Sequence, residues 1–137
     1  MAKAFAFITN TTAQTLISGA TVNPGTAQHG FGSCGCNCGY IIRVNNTGIN
    51  LQAPGYYKIN VSAAASDTAA ANVTLSLYQD GQLVAQGIET VDATDDPSNI
   101  AFPAGVKVNC ASTLTLVVTA TAGSPIINGL YITVEKL

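Results

Sequence analysis

The amino-acid sequence predicts an all-β, antiparallel two-sheet jelly-roll sandwich. Three observations carry that expectation. Apolar and polar side chains alternate with a period of two in four separate segments, Gly-, Pro- and Asn-containing turn signals fall between them, and no segment keeps a helical period. A chain of 137 residues buries about two-thirds of its extended surface as a single domain, so one domain spanning residues 1–137 is expected.

Taken in order, residues 3–9 and 40–45 read as short strands. Residues 55–63 give the clearest alternation, with Tyr57, Ile59, Val61 and Ala63 on one face and Tyr56, Lys58, Asn60 and Ser62 on the other. The Ala-rich stretch 63–71 has helix-forming composition, but Ser66, Asp67 and Thr68 interrupt it between two alternating segments. A strand end and a connecting loop are therefore expected there. Residues 72–79 place Val73, Leu75 and Leu77 inward, and Asp80-Gly81 turns the chain into a strand over 82–86, because Asp-Gly accepts the positive φ angles of a two-residue hairpin. A short strand is expected over 106–109. Leu114, Leu116 and Val118 make the inward set of 112–120, and Leu130, Ile132 and Val134 that of 130–137. Pro54-Gly55, Pro103-Ala104-Gly105, Gly123-Ser124-Pro125 and Asn128-Gly129 are read as the intervening turns.

Charged side chains make up only 9% of the chain, 5 basic and 7 acidic, so the surface is built from Thr, Ser, Asn, Gln and small residues. Arg43, Lys3, Lys58, Lys107 and Lys136 are scattered, which argues against a nucleic-acid partner, since phosphate binding needs clustered cations. The longest apolar runs are far short of a bilayer span, and residues 1–15 lack the basic start and apolar stretch of an export signal. No membrane partner is expected, and synthesis and assembly in the cytosol are. A weakly charged, outward-looking coat without an export signal suggests a particle assembled inside a cell and released from it.

Few residues offer chemistry. Cys34, Cys36 and Cys38 form a CGCNCG loop, with His29 upstream and Cys110 far downstream. Structural zinc uses pairs of cysteines separated by two residues, and C-x-C-x-C has the wrong spacing. The expectation is an exposed, Gly-rich loop stapled by a disulfide within or between chains, with free thiols and a bound metal as the other readings. Glu89, Asp92, Asp95 and Asp96 put four of the seven acids within eight residues. A solvated turn ahead of Pro97 is the ordinary reading and a calcium site the alternative, although the spacing lacks the known calcium-loop pattern. Four N-x-S/T triplets begin at Asn10, Asn45, Asn60 and Asn72 and carry no weight in so Asn- and Thr-rich a chain. No phosphate loop, dinucleotide fingerprint, nucleophile elbow or zinc-helix motif is present, and there is one histidine. No cofactor and no enzymatic activity are expected.

The segments G-Y-Y-K-I-N-V from Gly55, V-T-L-S-L-Y-Q-D-G-Q-L-V from Val73, L-T-L-V-V from Leu114 and L-Y-I-T-V-E-K-L from Leu130 resemble the jelly-roll heads of the tumour-necrosis-factor and complement-globular-head superfamily. The likeness covers residues 49–137 and is nearest to the bacterial and phage branch, found on spore-surface collagen-like proteins and on phage head fibres and decoration proteins. No collagen-like tract precedes the head in this sequence, which departs from the spore-surface members and leads to the expectation of a stand-alone protein. The resemblance implies a homotrimer packed about a threefold axis. The residues agree: with Tyr57, Val73, Leu75 and Ile132 given to the core, Tyr56, Tyr78, Val117 and Tyr131 remain as an apolar and aromatic stripe that suits a trimer interface, the ordinary alternative being scattered surface tyrosines.

The function expected is a structural protein on the exterior of a bacteriophage virion, a capsid decoration or head-fibre trimer. Its partners would be two further copies, the major capsid protein or another virion protein, and a host-cell surface glycan if the head is adhesive. The alternative is the ligand- or glycan-binding head of a bacterial or spore surface protein. Residues 1–23 match the family least and are expected to attach the trimer to its particle, with Phe5, Phe7 and Ile8 adding a strand to a neighbour's sheet or closing the chain's own.

Overall fold

In the computed structural model, residues 4–31, 41–93 and 96–137 are described, of which 29–31 by their backbone alone. They form twelve strands: β1 (Ala4–Asn10), β2 (Gln14–Thr15), β3 (Ala20–Thr21), β4 (Thr26–Phe31), β5 (Ile42–Asn45), β6 (Gly48–Leu51), β7 (Gly55–Asp67), β8 (Ala71–Gln79), β9 (Gln82–Val91), β10 (Ser98–Val108), β11 (Ser112–Ala120) and β12 (Pro125–Lys136). No helix occurs among the described residues. Two six-stranded sheets result. The first runs β10-β7-β12-β1-β4 with β2 beside β12, and the second runs β5-β6-β11-β8-β9 with β3 beside β11.

Alternation decides which side chains lie between the sheets. Tyr57, Ile59, Val61 and Ala63 on β7, Val73, Leu75 and Leu77 on β8, Leu114, Leu116 and Val118 on β11, and Leu130, Ile132 and Val134 on β12 are all buried, as the sequence predicts, and Ala65 extends the buried set of β7. The hairpin between β8 and β9 is the expected one. Asp80 and Gly81 have φ of 49° and 83°, the pair of positive angles that matches the twist of the flanking strands. Asp80 also ties the turn to β11, since its N–H donates to Thr113 O and its Oδ1 accepts from Thr113 N, both at 2.9 Å. The Ala-rich stretch continues β7 to Asp67 and then turns. The Asp67 side chain stabilises that turn by accepting from Ala69 N at 2.9 Å, and Gly123, at φ 61°, packs where any Cβ would run into it.

Two expected turns are strand instead. Pro103-Ala104-Gly105 lies inside β10, at the edge of its sheet, where a residue without an N–H is tolerated. Ile100, Phe102 and Val106 point inward along it, so β10 is much longer than the expected 106–109. Asn128-Gly129 lies inside β12, where the register with β7 shifts between Ile127 and Gly129, so a bulge takes the place of a turn. Of the two roles weighed for residues 4–8, the structure has the second. β1 is bonded on one side to β12 and on the other to β4, and Ile8 is fully buried, so this segment closes the chain's own sheet.

Tyr57 links core and loop. Its ring is 1% exposed and its hydroxyl donates to Ala53 O at 2.7 Å. Burial raises its pKa above the ordinary value of 10.0. In the unfolded chain the phenol ionises near its ordinary value, so as pH rises past about 10 the unfolded state loses a proton that the folded state keeps, and stability falls. Tyr57→Phe is expected to flatten that alkaline decline at the cost of a hydrogen bond worth about 1 kcal/mol at neutral pH, as read from urea unfolding midpoints of both proteins at neutral and alkaline pH.

Candidate functional site

The outer face of the first sheet has its bulk on the unexpected side. On β1 the small residues Ala4 and Ala6 point inward at 2% and 0% exposure, while Phe7 points outward at 38%. A strand that buries alanine and exposes phenylalanine places apolar surface on the outer face of the sheet. The neighbouring strands extend the patch. Thr9 pairs with Tyr131 and Phe7 with Thr133 across β1 and β12, Tyr131 pairs with Ser62 across β12 and β7, and Asn60 pairs with Pro103 across β7 and β10. Tyr131 is 47% exposed and its ring lies 6.5 Å from that of Phe7, tilted by 42°.

Two shallow concavities open on this face. One, of about 380 Å³, is lined by Tyr131, Pro103, Ala101, Asn60, Ser62 and Thr133 together with parts of Val61 and Phe102. Its polar groups are tied to one another, Ser62 Oγ donating to Asn99 Oδ1 at 3.0 Å and Asn60 Nδ2 to Thr133 Oγ1 at 3.5 Å. The other, of about 430 Å³, lies towards the start of β7, between Tyr56, Lys58, Lys107 and Leu137. Lys107 Nζ stands 5.8 Å from the centroid of the Tyr56 ring, within cation–π range.

The four residues read as one stripe fall on two faces. Tyr56 and Tyr131 belong to the face just described. Tyr78 on β8 and Val117 on β11 alternate with the buried Leu77, Leu116 and Val118, which turns them outward from the second sheet, on the opposite side of the sandwich. Period-two patterning separates inside from outside on each strand, and it is blind to which sheet the strand joins. Among the proposed attachment residues Phe5 and Phe7 share the face of Tyr131, whereas Ile8 is core. Pro103 and Leu137 were not legible as parts of the face. The signal available for Phe7 was the Ala-x-Ala-x spacing beside it.

The remaining candidates form no site among the described residues. Glu89 lies on β9, Asp92 and Asp96 are exposed in the connection to β10, Asp95 lies outside the described residues, and no described group of acids, cysteines and histidine is arranged to hold a metal ion. Cys34, Cys36 and Cys38 also lie outside the described residues. Cys110 is exposed between β10 and β11 with a free thiol. His29 is in β4 opposite Ala6.

The fold is a TNF-like jelly roll of two antiparallel sheets with the strand order given above. Among solved structures, the Eiger TNF of S. frugiperda superposes with a TM-score of 0.69 at 14% identity, over 100% of this chain and 94% of that one. Murine APRIL gives 0.68 at 10% identity, covering 98% and 99%, and the globular domain of zebrafish complement 1qA gives 0.64 at 10%, covering 98% and 95%. These likenesses are of fold. No protein-family model matches the chain, and no curated protein is similar to it in sequence.

Proposed function

We propose that the chain is a non-enzymatic structural head that assembles as a homotrimer on the exterior of a bacteriophage virion, as a capsid decoration or head-fibre protein. The observation that supports assembly most directly is the inverted face of the first sheet, with alanine inside and Phe7, Tyr56 and Tyr131 outside. A closed threefold ring joins two unlike patches on each copy. The second patch is on β9, at the edge of the other sheet, where Leu83 and Ile88 are 53% and 60% exposed. The virion reading draws on the coat of Thr, Asn and Ser with 9% charged residues and on the resemblance of residues 55–61, 73–84, 114–118 and 130–137 to phage decoration heads. A second reading, the glycan-binding head of a cell-surface protein, draws on the Tyr56 concavity, whose aromatic wall and two lysines suit a sugar ring bearing acidic groups.

Static light scattering of the purified protein at micromolar concentration is expected to return three chain masses; a single chain mass would overturn the assembly. Antibodies raised against the head are expected to decorate intact particles from the source culture in electron micrographs. Labelling confined to the cell envelope would overturn the virion reading in favour of the second.

A further inference from the structure

Of the asparagines in this chain only Asn128 is followed by glycine. Glycine is the residue that least obstructs attack of its own amide nitrogen on the preceding side-chain amide. The dipeptide occupies the bulge of β12, where Ile127 and Gly129 take the consecutive partners Ala65 and Ala64, so Asn128 has no partner residue on β7. Beyond its chain neighbours, a Cβ at Gly129 would meet only Tyr131 Cε2, at 3.8 Å. The side chain of Asn128 is held, with Nδ2 donating to Ser66 Oγ at 2.8 Å and to Ile126 O at 3.5 Å.

We infer that the Asn128–Gly129 bulge is a site of spontaneous covalent modification, a deamidation restrained by the Ser66 hydroxyl. The Gly129 nitrogen gives up its proton to base and bonds to Asn128 Cγ, the Cγ–Nδ2 bond breaks and the nitrogen leaves as ammonia. The five-membered imide so formed takes up one water at either carbonyl, giving aspartate or isoaspartate, with water the only co-reactant. To react, Asn128 must swing its Cγ onto the Gly129 nitrogen, which breaks the bond to Ser66. Ser66 is therefore a positioning residue that stabilises the unreactive rotamer. The product places a carboxylate three residues before Tyr131 in the chain, on the face proposed for assembly, so modification would weaken the trimer with age; the chemistry itself does not depend on that reading.

The test incubates the intact protein at pH 8 and follows the peptide holding residues 128–129 by mass spectrometry, which reads the exchange of –NH2 for –OH and separates the two acid isomers. Ser66→Ala is expected to speed the reaction about three- to tenfold, the rate equivalent of one hydrogen bond of roughly 0.5–1.5 kcal/mol, and Ser66→Thr to restore the slow rate. In concentrated urea wild type and Ser66→Ala should react equally fast. Gly129→Ala, whose added methyl has room, should fold and slow the reaction in both states. Equal rates for wild type and Ser66→Ala in the folded state, or faster deamidation at another asparagine, would overturn the inference, and neither result bears on the oligomeric mass.

Discussion

Removal of residues 4–10 is expected to leave a chain that does not fold. β1 lies within the first sheet, pairing along β12 from Ala4 opposite Lys136 to Asn10 opposite Leu130 and along β4 on its other side. Ile8 alone, at 0% exposure, is worth about 2–5 kcal/mol against truncation to alanine, and the deletion also uncovers the edge of β12 from Leu130 to Lys136 and strands β4. Against a total stability of roughly 5–15 kcal/mol for a domain, that loss is decisive. Circular dichroism should show the strand signal gone and no cooperative melt. A shortened chain that stays folded, soluble and trimeric, and merely loses its particle, would mean that β1 is an attachment strand after all.

The second large effect is expected from Tyr131→Asp. Roughly 100 Å² of the ring is still open to water, and covering it in an assembly contributes about 2 kcal/mol per copy at 25 cal/mol per Å². The substitution removes that gain and sets a carboxylate against an apolar partner, a desolvation cost of at least similar size. With one such contact in each of three joints, the substituted protein should be monomeric at micromolar concentration by light scattering, with a strand signal like that of the wild type because Tyr131 points away from the core. A Tyr131→Asp trimer of undiminished stability would remove the first sheet's outer face as the interface.

The strands that could be read from sequence are those in which alternation and flanking turns agree. Residues 55–63, 72–79 and 112–120 meet both conditions and appear almost unchanged as parts of β7, β8 and β11. β10 was shortened in reading because Pro103 and Gly105 look like punctuation, and an edge position, which licenses them, is a property of the sheet. Asn128-Gly129 misled for a related reason: the same dipeptide that closes a two-residue hairpin also suits a bulge, and only the partner strand distinguishes them. For the site, exposure of Tyr56 and Tyr131 followed from alternation, and their separation from Tyr78 and Val117 did not. The inverted pattern of Ala4, Ala6 and Phe7 was visible in the sequence but had no meaning until the inward side of β1 was known.

The place of β12 bears on how the protein is made. This last strand is the middle of the first sheet, with β7 on one flank and β1 on the other. A ribosome therefore releases the other eleven strands before that sheet can be joined, and until then β7 and β1 hold open hydrogen-bonding edges and their apolar faces in water. Pairing Ala4 with Lys136 joins positions 132 apart in the sequence, and such contacts fold slowly because loop closure must precede any reward from packing. Synthesis is thus the period of greatest exposure to aggregation for this head. Truncation of even its final eight residues during translation should divert it from folding to precipitation.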